Sequence, residues 1–394
     1  GAHPTDLLSG DTITASIFDQ SLAFRALGQI AEMNKAIGNE ILYSRYMALQ
    51  AEIRSSAQAN LWSDPLGRYL IHKHLSRLPH PFDEEAIVSF GNAVAVHTGL
   101  ATQDQIPSIL ETLGEMAHRA GTQRAGLSLW PPYPAGTFNH PNMQPFGYQN
   151  GGLWDWWAGI QILAEFEGGA SKTAFAHLLE TANHWTKSDT IAEWFHLPTG
   201  TDQGSPEFGG AAGTLGLSVV RGLFGIRMSD RTYEITSRLG SLSGSVKIQN
   251  QHSGETVAYT QRSGDDWTTI DVSSTTPEGG TVSILVANDW PDAMVLVDDR
   301  SQAVGMQTVM YDSLTTQVHV PTGTHTITGI KIDEKSPTTG WHSGYGQFFL
   351  VGDGQGYWIT DSSGIPLWSG YLALGGVAQL GPAISGRFLL NGWV

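Results

Sequence analysis

Two segments of the chain carry the residues best suited to chemistry. The first is Tyr148-Gln-Asn-Gly-Gly-Leu-Trp-Asp-Trp-Trp-Ala-Gly159, and the second is Ile191-Ala-Glu-Trp-Phe-His-Leu-Pro-Thr-Gly200. In the first, a Gly-Gly turn delivers Trp154, Trp156, Trp157 and Asp155 onto the start of a predicted helix. Indole rings offer large apolar faces for stacking, and a carboxylate beside them can transfer protons. These residue types favour binding and chemistry of sugar rings.

Each of these residues also has a purely structural interpretation. Asp155 lies near a helix start, where the helix dipole stabilises an aspartate without any chemistry. Trp154 and Trp157 are one turn apart and are equally suited to a core, whereas Trp156 points elsewhere. For Glu193 the alternative is a loop carboxylate that caps a helix or pairs with a basic residue. Asp155 and Glu193 are the two candidate catalytic residues.

Composition excludes several classes of protein. The 394 residues include 37 acidic and 21 basic side chains, and the net charge of −16 disfavours nucleic acid as a partner. No apolar run approaches the roughly 18 residues of a membrane span. The absence of cysteine rules out disulfides and thiolate metal sites. Thirteen tryptophans without cysteine suit an exported bacterial protein, so we expect an extracellular or cell-surface location.

Hydrophobic periodicity changes from helical to extended along the chain. The 3.6-residue repeat predicts six or seven helices, at 11–35, 39–61, 84–97, 104–120, 153–166, 171–184 and 211–224. After Gly225 the period becomes two, with short runs separated by Gly, Asp, Asn and Ser turns. These runs, at 232–237, 244–249, 256–260, 281–286, 293–297, 307–311, 316–320 and 324–328, predict an antiparallel sandwich. The predicted domains are helical (1–226), β-sandwich (227–333) and a small Gly- and aromatic-rich C-terminal module (334–394).

The order of several motifs resembles a known family. Asp11-Thr-Ile-Thr-Ala-Ser-Ile-Phe, Gly91-Asn-Ala-Val-Ala-Val-His-Thr-Gly, the Gln149-Asn-Gly-Gly turn and Ala211-Ala-Gly-Thr-Leu-Gly-Leu217 are similar to the second half of (α/α)6-barrel glycoside hydrolases. The closest types are debranching enzymes, processing glucosidases and rhamnosidases. The resemblance implies an α/α-toroid, here an incomplete barrel, followed by the sandwich. Separately, Asp361-Ser-Ser-Gly-Ile-Pro-Leu-Trp, Leu374-Gly-Gly and Leu380-Gly-Pro-Ala resemble Leu-Gly-Phe-Pro-type repeats.

The resemblance also implies roles for individual residues. Such barrels use two carboxylates, about 6.5–9.5 Å apart in inverting enzymes, and Glu193 matches the general base because a Glu-Trp pair before a Pro-x-Gly loop is common there. The general acid would come from upstream of residue 11, so a separate polypeptide or segment is expected to complete the barrel. Expected substrate-binding residues are Trp154, Trp156, Trp157, Trp194, Gln149, Asn150, His140, Asp202 and Glu207. For Asp202 and Glu207 the alternative is solvated loop charge, and for His140 a rigid structural wall.

Two functions follow, of different classes. One is an inverting glycoside hydrolase acting on an oligosaccharide or glycoside; the alternative is a non-catalytic carbohydrate-binding or surface assembly protein on a hydrolase scaffold. No cofactor is expected. No metal site is expected either, because His-Glu-x-x-His is absent and His72-Lys-His74 lies beside positive charge.

Overall fold

The chain forms two compact units, Gly1–Leu223 and Phe224–Val394. The structure, a computed structural model, describes residues 13–75, 82–264, 267–287, 292–298, 300–301, 308–310 and 313–332, and beyond these the strands at 341–343, 349–351, 356–361, 366–371, 377–379 and 386–393. No helix in these described residues is long and apolar enough to cross a membrane.

The first unit is built from helices linked by short paired strands. In its described part the helices are α1 (Ile17–Ala36), α2 (Glu40–Asn60), α3 (Gly91–Thr98), α4 (Ile106–Ala120), α5 (Asp155–Glu167), α6 (Ser171–Ser188) and α7 (Gly209–Leu217), with a π-helical turn at Ser218–Leu223. Four two-stranded antiparallel ladders form between β1 (Thr14–Ser16) and β4 (His72–His74), β2 (Trp62–Ser63) and β3 (Arg68–Tyr69), β5 (Val88–Ser89) and β6 (Leu129–Trp130), and β7 (Trp194–His196) and β8 (Thr201–Gln203). These helices do not close a barrel within the described residues.

Two predicted helix starts were wrong, and backbone pairing explains both. The helix expected from residue 11 begins at Ile17 because Thr14–Ser16 pairs with β4, and Ser16 caps α1 by accepting a hydrogen bond from Asp19 N at 3.1 Å. The helix expected from residue 84 begins at Gly91, because Val88–Ser89 forms a strand instead.

The helical core lies around α3, α4 and the start of α5. Residues Gly91 to Val96 of α3 are all buried, so this helix is covered on every side. Leu113 of α4 is 1% exposed, and Trp157 of α5 stacks on Phe90 with ring centroids 4.9 Å apart and an interplanar angle of 11°. Burying a side chain of this size stabilises the fold by about 1.5–3 kcal/mol. The core therefore fixes the N-terminal end of α5, where Asp155 lies.

The second unit contains two larger sheets. Its strands are β9 (Ile226–Met228), β10 (Tyr233–Ser237), β11 (Gly244–Gln249), β12 (Thr256–Ser263), β13 (Trp267–Ser274), β14 (Gly280–Ala287), β15 (Asp292–Val297), β16 (Arg300–Ser301), β17 (Thr308–Met310), β18 (Ser313–Val320) and β19 (Gly323–Ile332). One sheet has the order β17-β18-β14-β10-β9 and the other β11-β12-β13-β19-β15-β16. The buried Ser237 of the first sheet donates to the buried Gln261 of the second, so the two sheets face each other at this point.

The expectation of a purely antiparallel arrangement was wrong. β10 pairs with β14 in parallel, in the register Tyr233 with Gly280 through Ser237 with Ile284. Strands β9, β13 and β16 were also not predicted. In β13, Trp267-Thr-Thr-Ile-Asp-Val-Ser-Ser alternates imperfectly, because Thr268 and Thr269 are both buried.

Residues beyond 340 are described as strands only. They are β20 (Trp341–Ser343), β21 (Phe349–Val351), β22 (Gly356–Asp361), β23 (Pro366–Tyr371), β24 (Val377–Gln379) and β25 (Gly386–Trp393), with sheet order β20-β25-β22-β23 and a separate β21-β24 pair. Residues 374–376 and 380–385, which carry part of the repeat resemblance, lie outside the described residues.

Candidate functional site

The structure brings the two motif segments side by side. Leu153 and Phe195 exchange both backbone hydrogen bonds, with N to O distances of 3.1 and 2.7 Å. The Gly-Gly turn permits this approach, because a Cβ on Gly152 would overlap the carbonyl oxygen of Tyr148 and lie 3.1 Å from the Trp194 ring. The segment before α5 and strand β7 therefore form one local structure in the helical unit.

Glu193 is held by the backbone immediately after β8. Its amide N donates to Ser205 O at 2.9 Å, and its Oε2 accepts from Ser205 N at 3.0 Å. Gly204 has a φ of +75°, and a Cβ there would lie 2.5 Å from Oε2. Within the described residues Glu193 forms no ion pair, and its Oε1 receives no hydrogen bond. Glu193 is thus an oriented, half-buried carboxylate with one oxygen anchored.

Asp155 has a different environment. It is 4% exposed, its Oδ1 forms an ion pair with Arg124, and its Oδ2 accepts from Trp185 Nε1 at 2.6 Å. Arg124 is itself buried and lies over the Phe195 ring, 5.1 Å from the centroid. Both carboxylate oxygens are therefore engaged, in an arrangement that holds α5, α6 and the residue-124 loop together.

The tryptophans of the two motifs are mostly core residues. Trp154, Trp157 and Trp194 are 3%, 8% and 8% exposed, and Trp156 is half-buried. The Tyr148 ring lies 4.8 Å from Trp154 and 6.1 Å from Trp194. Since the buried rings pack on one another, the structure places three of the four expected sugar-stacking residues in an aromatic core.

Asn150, His140 and Gln149 lie in the loop before this aromatic core. Asn150 is fully buried: its Oδ1 accepts from Tyr133 N at 2.7 Å, and its Nδ2 donates to Tyr133 O and Met143 O at 3.0 Å each. The ring of His140 stacks on Tyr148 with centroids 5.7 Å apart. Gln149 is half-buried beside them. The Asn150 side chain therefore links the two ends of the loop of residues 130–150 through hydrogen bonds to backbone atoms.

A cleft of about 420 Å³ lies between the end of α6 and the start of α7, and Glu193 is not in its lining. It is lined by Trp185, Thr186, Asp189, Thr190, Ile191, Glu207, Phe208, Gly209 and Ala212. Of the expected substrate-binding residues, Glu207 lies on this cleft, whereas Asp202 is bound at Oδ1 by His184 Nε2 at 2.9 Å. The cleft thus combines one half-buried indole with the carboxylates of Asp189 and Glu207.

His72 and His74, at which no metal site was expected, contact Glu84 elsewhere in the same unit. His72 Nε2 and His74 Nε2 lie 2.9 and 2.6 Å from Oε2 of Glu84, and Tyr133 donates to Oε1 of Glu84 at 2.9 Å. Burial raises the pKa of Glu84, but the hydrogen bonds and charge of His72, with His74 and Tyr133, outweigh it and lower the pKa to about 2. Burial, with the charge of Glu84, raises the pKa of Tyr133, which keeps its hydroxyl a donor. His72, His74 and Glu84 are side chains of the types that bind metals, and Tyr133 donates a hydrogen bond that supports the carboxylate.

The signal for this group was present in the sequence. His72 and His74 are two positions apart, so on a strand both point to the same face. The positive neighbour that argued against them points the other way, since Lys73 donates to Asn60 Oδ1 at 2.7 Å. Recognising β4 as a strand would have separated Lys73 from the two imidazoles.

Comparisons with known proteins give a similarity of fold. No protein-family model matches this sequence, and no curated protein matches it. An α-L-rhamnosidase from Dictyoglumus thermophilum matches with a TM-score of 0.52 and 13% identity, over 78% of this chain and 31% of that chain. An α-L-rhamnosidase from Streptomyces avermitilis, complexed with L-rhamnose, matches with a TM-score of 0.51 and 13% identity, over 79% of this chain and 26% of that chain.

The sequence resemblance to (α/α)6-barrel glycoside hydrolases is confirmed by these matches as a resemblance of fold. This chain spans less than a third of the length of either rhamnosidase.

Proposed function

We propose that this chain carries the general-base side of an inverting glycoside hydrolase site, with Glu193 as the base. The observation that carries the proposal is the fixed orientation of Glu193, anchored at Oε2 by Ser205 N and not paired with any cation in the described residues. The glycosidase-like fold supports it, since loops at one end of such helices hold the carboxylates.

In this mechanism Oε1 of Glu193 accepts a proton from water as the water oxygen bonds to the anomeric carbon. The glycosidic C–O bond breaks at the same time, and a second carboxylic acid protonates the departing oxygen. The anchored Oε2 keeps the carboxylate from rotating, which favours one direction of attack. The substrate class is a neutral glycoside, consistent with the acidic chain that binds it.

The second carboxylic acid is proposed to come from a separate polypeptide or segment that completes the barrel. Three apolar side chains at the adjoining ends of α1 and α2 support this, since Met33, Ile37 and Ile41 are 68%, 78% and 83% exposed. Mass spectrometry and gel filtration of the native sample test it. A complex of this chain with a further polypeptide is expected; a stable, active monomer of 394 residues would contradict it.

Turnover of a panel of glycosides, including α-L-rhamnosides and α-glucosides, by the complex of this chain with the polypeptide that supplies the acid tests the role of Glu193. Glu193→Gln keeps the acceptor for Ser205 N but removes the base, so kcat should fall by about 10²–10⁴-fold. Glu111→Gln, at an exposed position of α4, is the matched control and should retain wild-type kcat. Unchanged turnover in Glu193→Gln would remove Glu193 as the base.

A non-catalytic glycan-binding protein is the second candidate. The observations that favour it are the engagement of both Asp155 oxygens and a cleft that has the half-buried Trp185 in its lining. Calorimetric titration with oligosaccharides should then show binding without turnover, lost in Trp185→Leu. Hydrolysis that depends on Glu193 would exclude this candidate.

A further inference from the structure

Three ligand-type atoms converge on one point in the helical unit. The Nε2 atoms of His72 and His74 are 3.2 Å apart, and Oε2 of Glu84 lies 2.9 and 2.6 Å from them. His72, His74 and Glu84 form the group of potential metal ligands found among the described residues. The three side chains are 10–15% exposed, so the point where they converge is largely buried.

The size of this triangle matches a metal coordination sphere. With metal–nitrogen and metal–oxygen bonds of about 2.0–2.1 Å, the edge of a tetrahedron is roughly 3.3 Å. The observed nitrogen–nitrogen edge of 3.2 Å is close to that length, and the nitrogen–oxygen edges of 2.9 and 2.6 Å need to open by about 0.4 and 0.7 Å. Two imidazoles and one carboxylate form a donor set that suits Zn²⁺ and related first-row divalent ions.

The elements around the triangle hold its members in place. β4 pairs with β1 in the register Ser16 with His72 and Thr14 with His74, which fixes both imidazoles on one face. Tyr133 donates to the remaining carboxylate oxygen of Glu84, the kind of supporting hydrogen bond that orients a metal-binding carboxylate. Tyr133 in turn is bound through its backbone to Asn150.

We propose that His72, His74 and Glu84 bind one divalent transition-metal cation, with Zn²⁺ the best fit, as a structural clamp. The cation joins strand β4 to the segment before α3 and, through Glu84 and Tyr133, to the loop of residues 130–150. It takes part in no step proposed for Glu193. Its contribution is to stabilise the loop that carries His140 and Asn150.

The test uses the full chain, stripped with EDTA, dialysed and titrated with ZnCl₂ by calorimetry at neutral pH. We expect one Zn²⁺ per chain, a melting temperature raised by Zn²⁺, and tetrahedral-type visible absorption with Co²⁺. His72→Asn, His74→Asn and Glu84→Gln should each weaken binding by at least about 100-fold, whereas Tyr133→Phe, which keeps all three ligands, should weaken it about 10-fold. His252→Asn, an exposed histidine of the second unit, is the control and should bind as the wild type does.

Several results would overturn the site. Absence of stoichiometric Zn²⁺ binding to the wild-type chain would show that His72, His74 and Glu84 are held together by hydrogen bonds and not by a metal ion. Binding that persists in the three ligand variants, or is lost equally in His252→Asn, would locate the metal at other histidines. If a ligand variant fails to fold, the Tyr133→Phe titration and the Zn²⁺ dependence of the wild-type melting temperature still decide the question.

Discussion

Replacing Asp155 by asparagine separates a structural role from a catalytic one. Asp155 is the ion-pair partner of Arg124 in the described residues, and the two side chains are 6% and 10% exposed. Arg124 Nε and Nη1 are buried without a hydrogen-bond partner there, so the guanidinium depends on Asp155 for compensation. Asp155→Asn keeps an acceptor for Trp185 Nε1 but leaves a buried, uncompensated cation.

The expected cost is that of breaking a buried ion pair from one side, about 3–5 kcal/mol. For a unit of this size, each kcal/mol lowers the melting temperature by about 2–4 °C, so the shift is roughly 6–20 °C. Calorimetry or thermal circular dichroism measures it. The double variant Arg124→Met, Asp155→Asn removes the unpaired cation and should recover part of the loss.

The control is Asp189→Asn, an exposed carboxylate in a left-handed conformation that asparagine also adopts. Its melting temperature should stay close to that of the wild type. If Asp155→Asn melts within about 2 °C of the wild type, the ion-pair reasoning fails. A loss of turnover at unchanged stability would make Asp155 a catalytic group.

Three further predictions concern other positions of the helical unit. Burial opposes protonation of His177, but the charge and hydrogen bond of Glu165 outweigh burial and raise the pKa of His177. The stability that this pair contributes is therefore full below about pH 6.5 and is lost as the pH rises through the raised pKa. The pH dependence of the melting temperature should flatten in His177→Gln. Gly204→Ala should displace Glu193 and abolish whatever activity depends on it, whereas Gly200→Ala, with a similar φ of +67° but no neighbour within 4 Å, should cost stability alone, and equal activity in the two variants would refute this. Gly159→Ala places a Cβ 2.6 Å from Leu215 N and should cost about 1–3 kcal/mol by forcing α5 from α7, whereas Gly216→Ala, with no neighbour within 4 Å, should leave the melting temperature unchanged or raised.

Hydrophobic periodicity predicted the order of elements better than their ends. The switch from helices to strands after Gly225 is confirmed, because the period of buried residues reports directly which face of an element is covered. The starts of α1 and α3 were wrong, since partners distant in sequence drew Thr14–Ser16 and Val88–Ser89 into strands. The parallel pairing of β10 with β14 was likewise hidden, because alternation does not encode strand direction.

The sequence suggested candidate site residues by type, but it did not predict their environments. Glu193 and Asp155 are both acidic residues beside tryptophan, yet one lies next to a backbone amide and the other next to a buried guanidinium. Arg124, which decides the environment of Asp155, is 31 positions away from it in the chain. The sequence offered no signal for that pairing, whereas the two-residue spacing of His72 and His74 did point to a common face.

The burial of the motif tryptophans changes what an aromatic-rich segment implies about sugar binding. A sugar platform must keep one ring face in solvent, and Trp154 and Trp194 instead turn their rings toward Tyr148. Stacking chemistry and core packing thus use the same residue types, and only exposure separates them. The half-buried Trp185 lines the cleft, where a sugar could contact its ring, and its Nε1 also donates a hydrogen bond to Asp155 inside the protein. If the proposed glycan binds, contact with Trp185 would couple the cleft to the Arg124–Asp155 pair, so glycan binding should raise the melting temperature of the wild type more than that of Asp155→Asn.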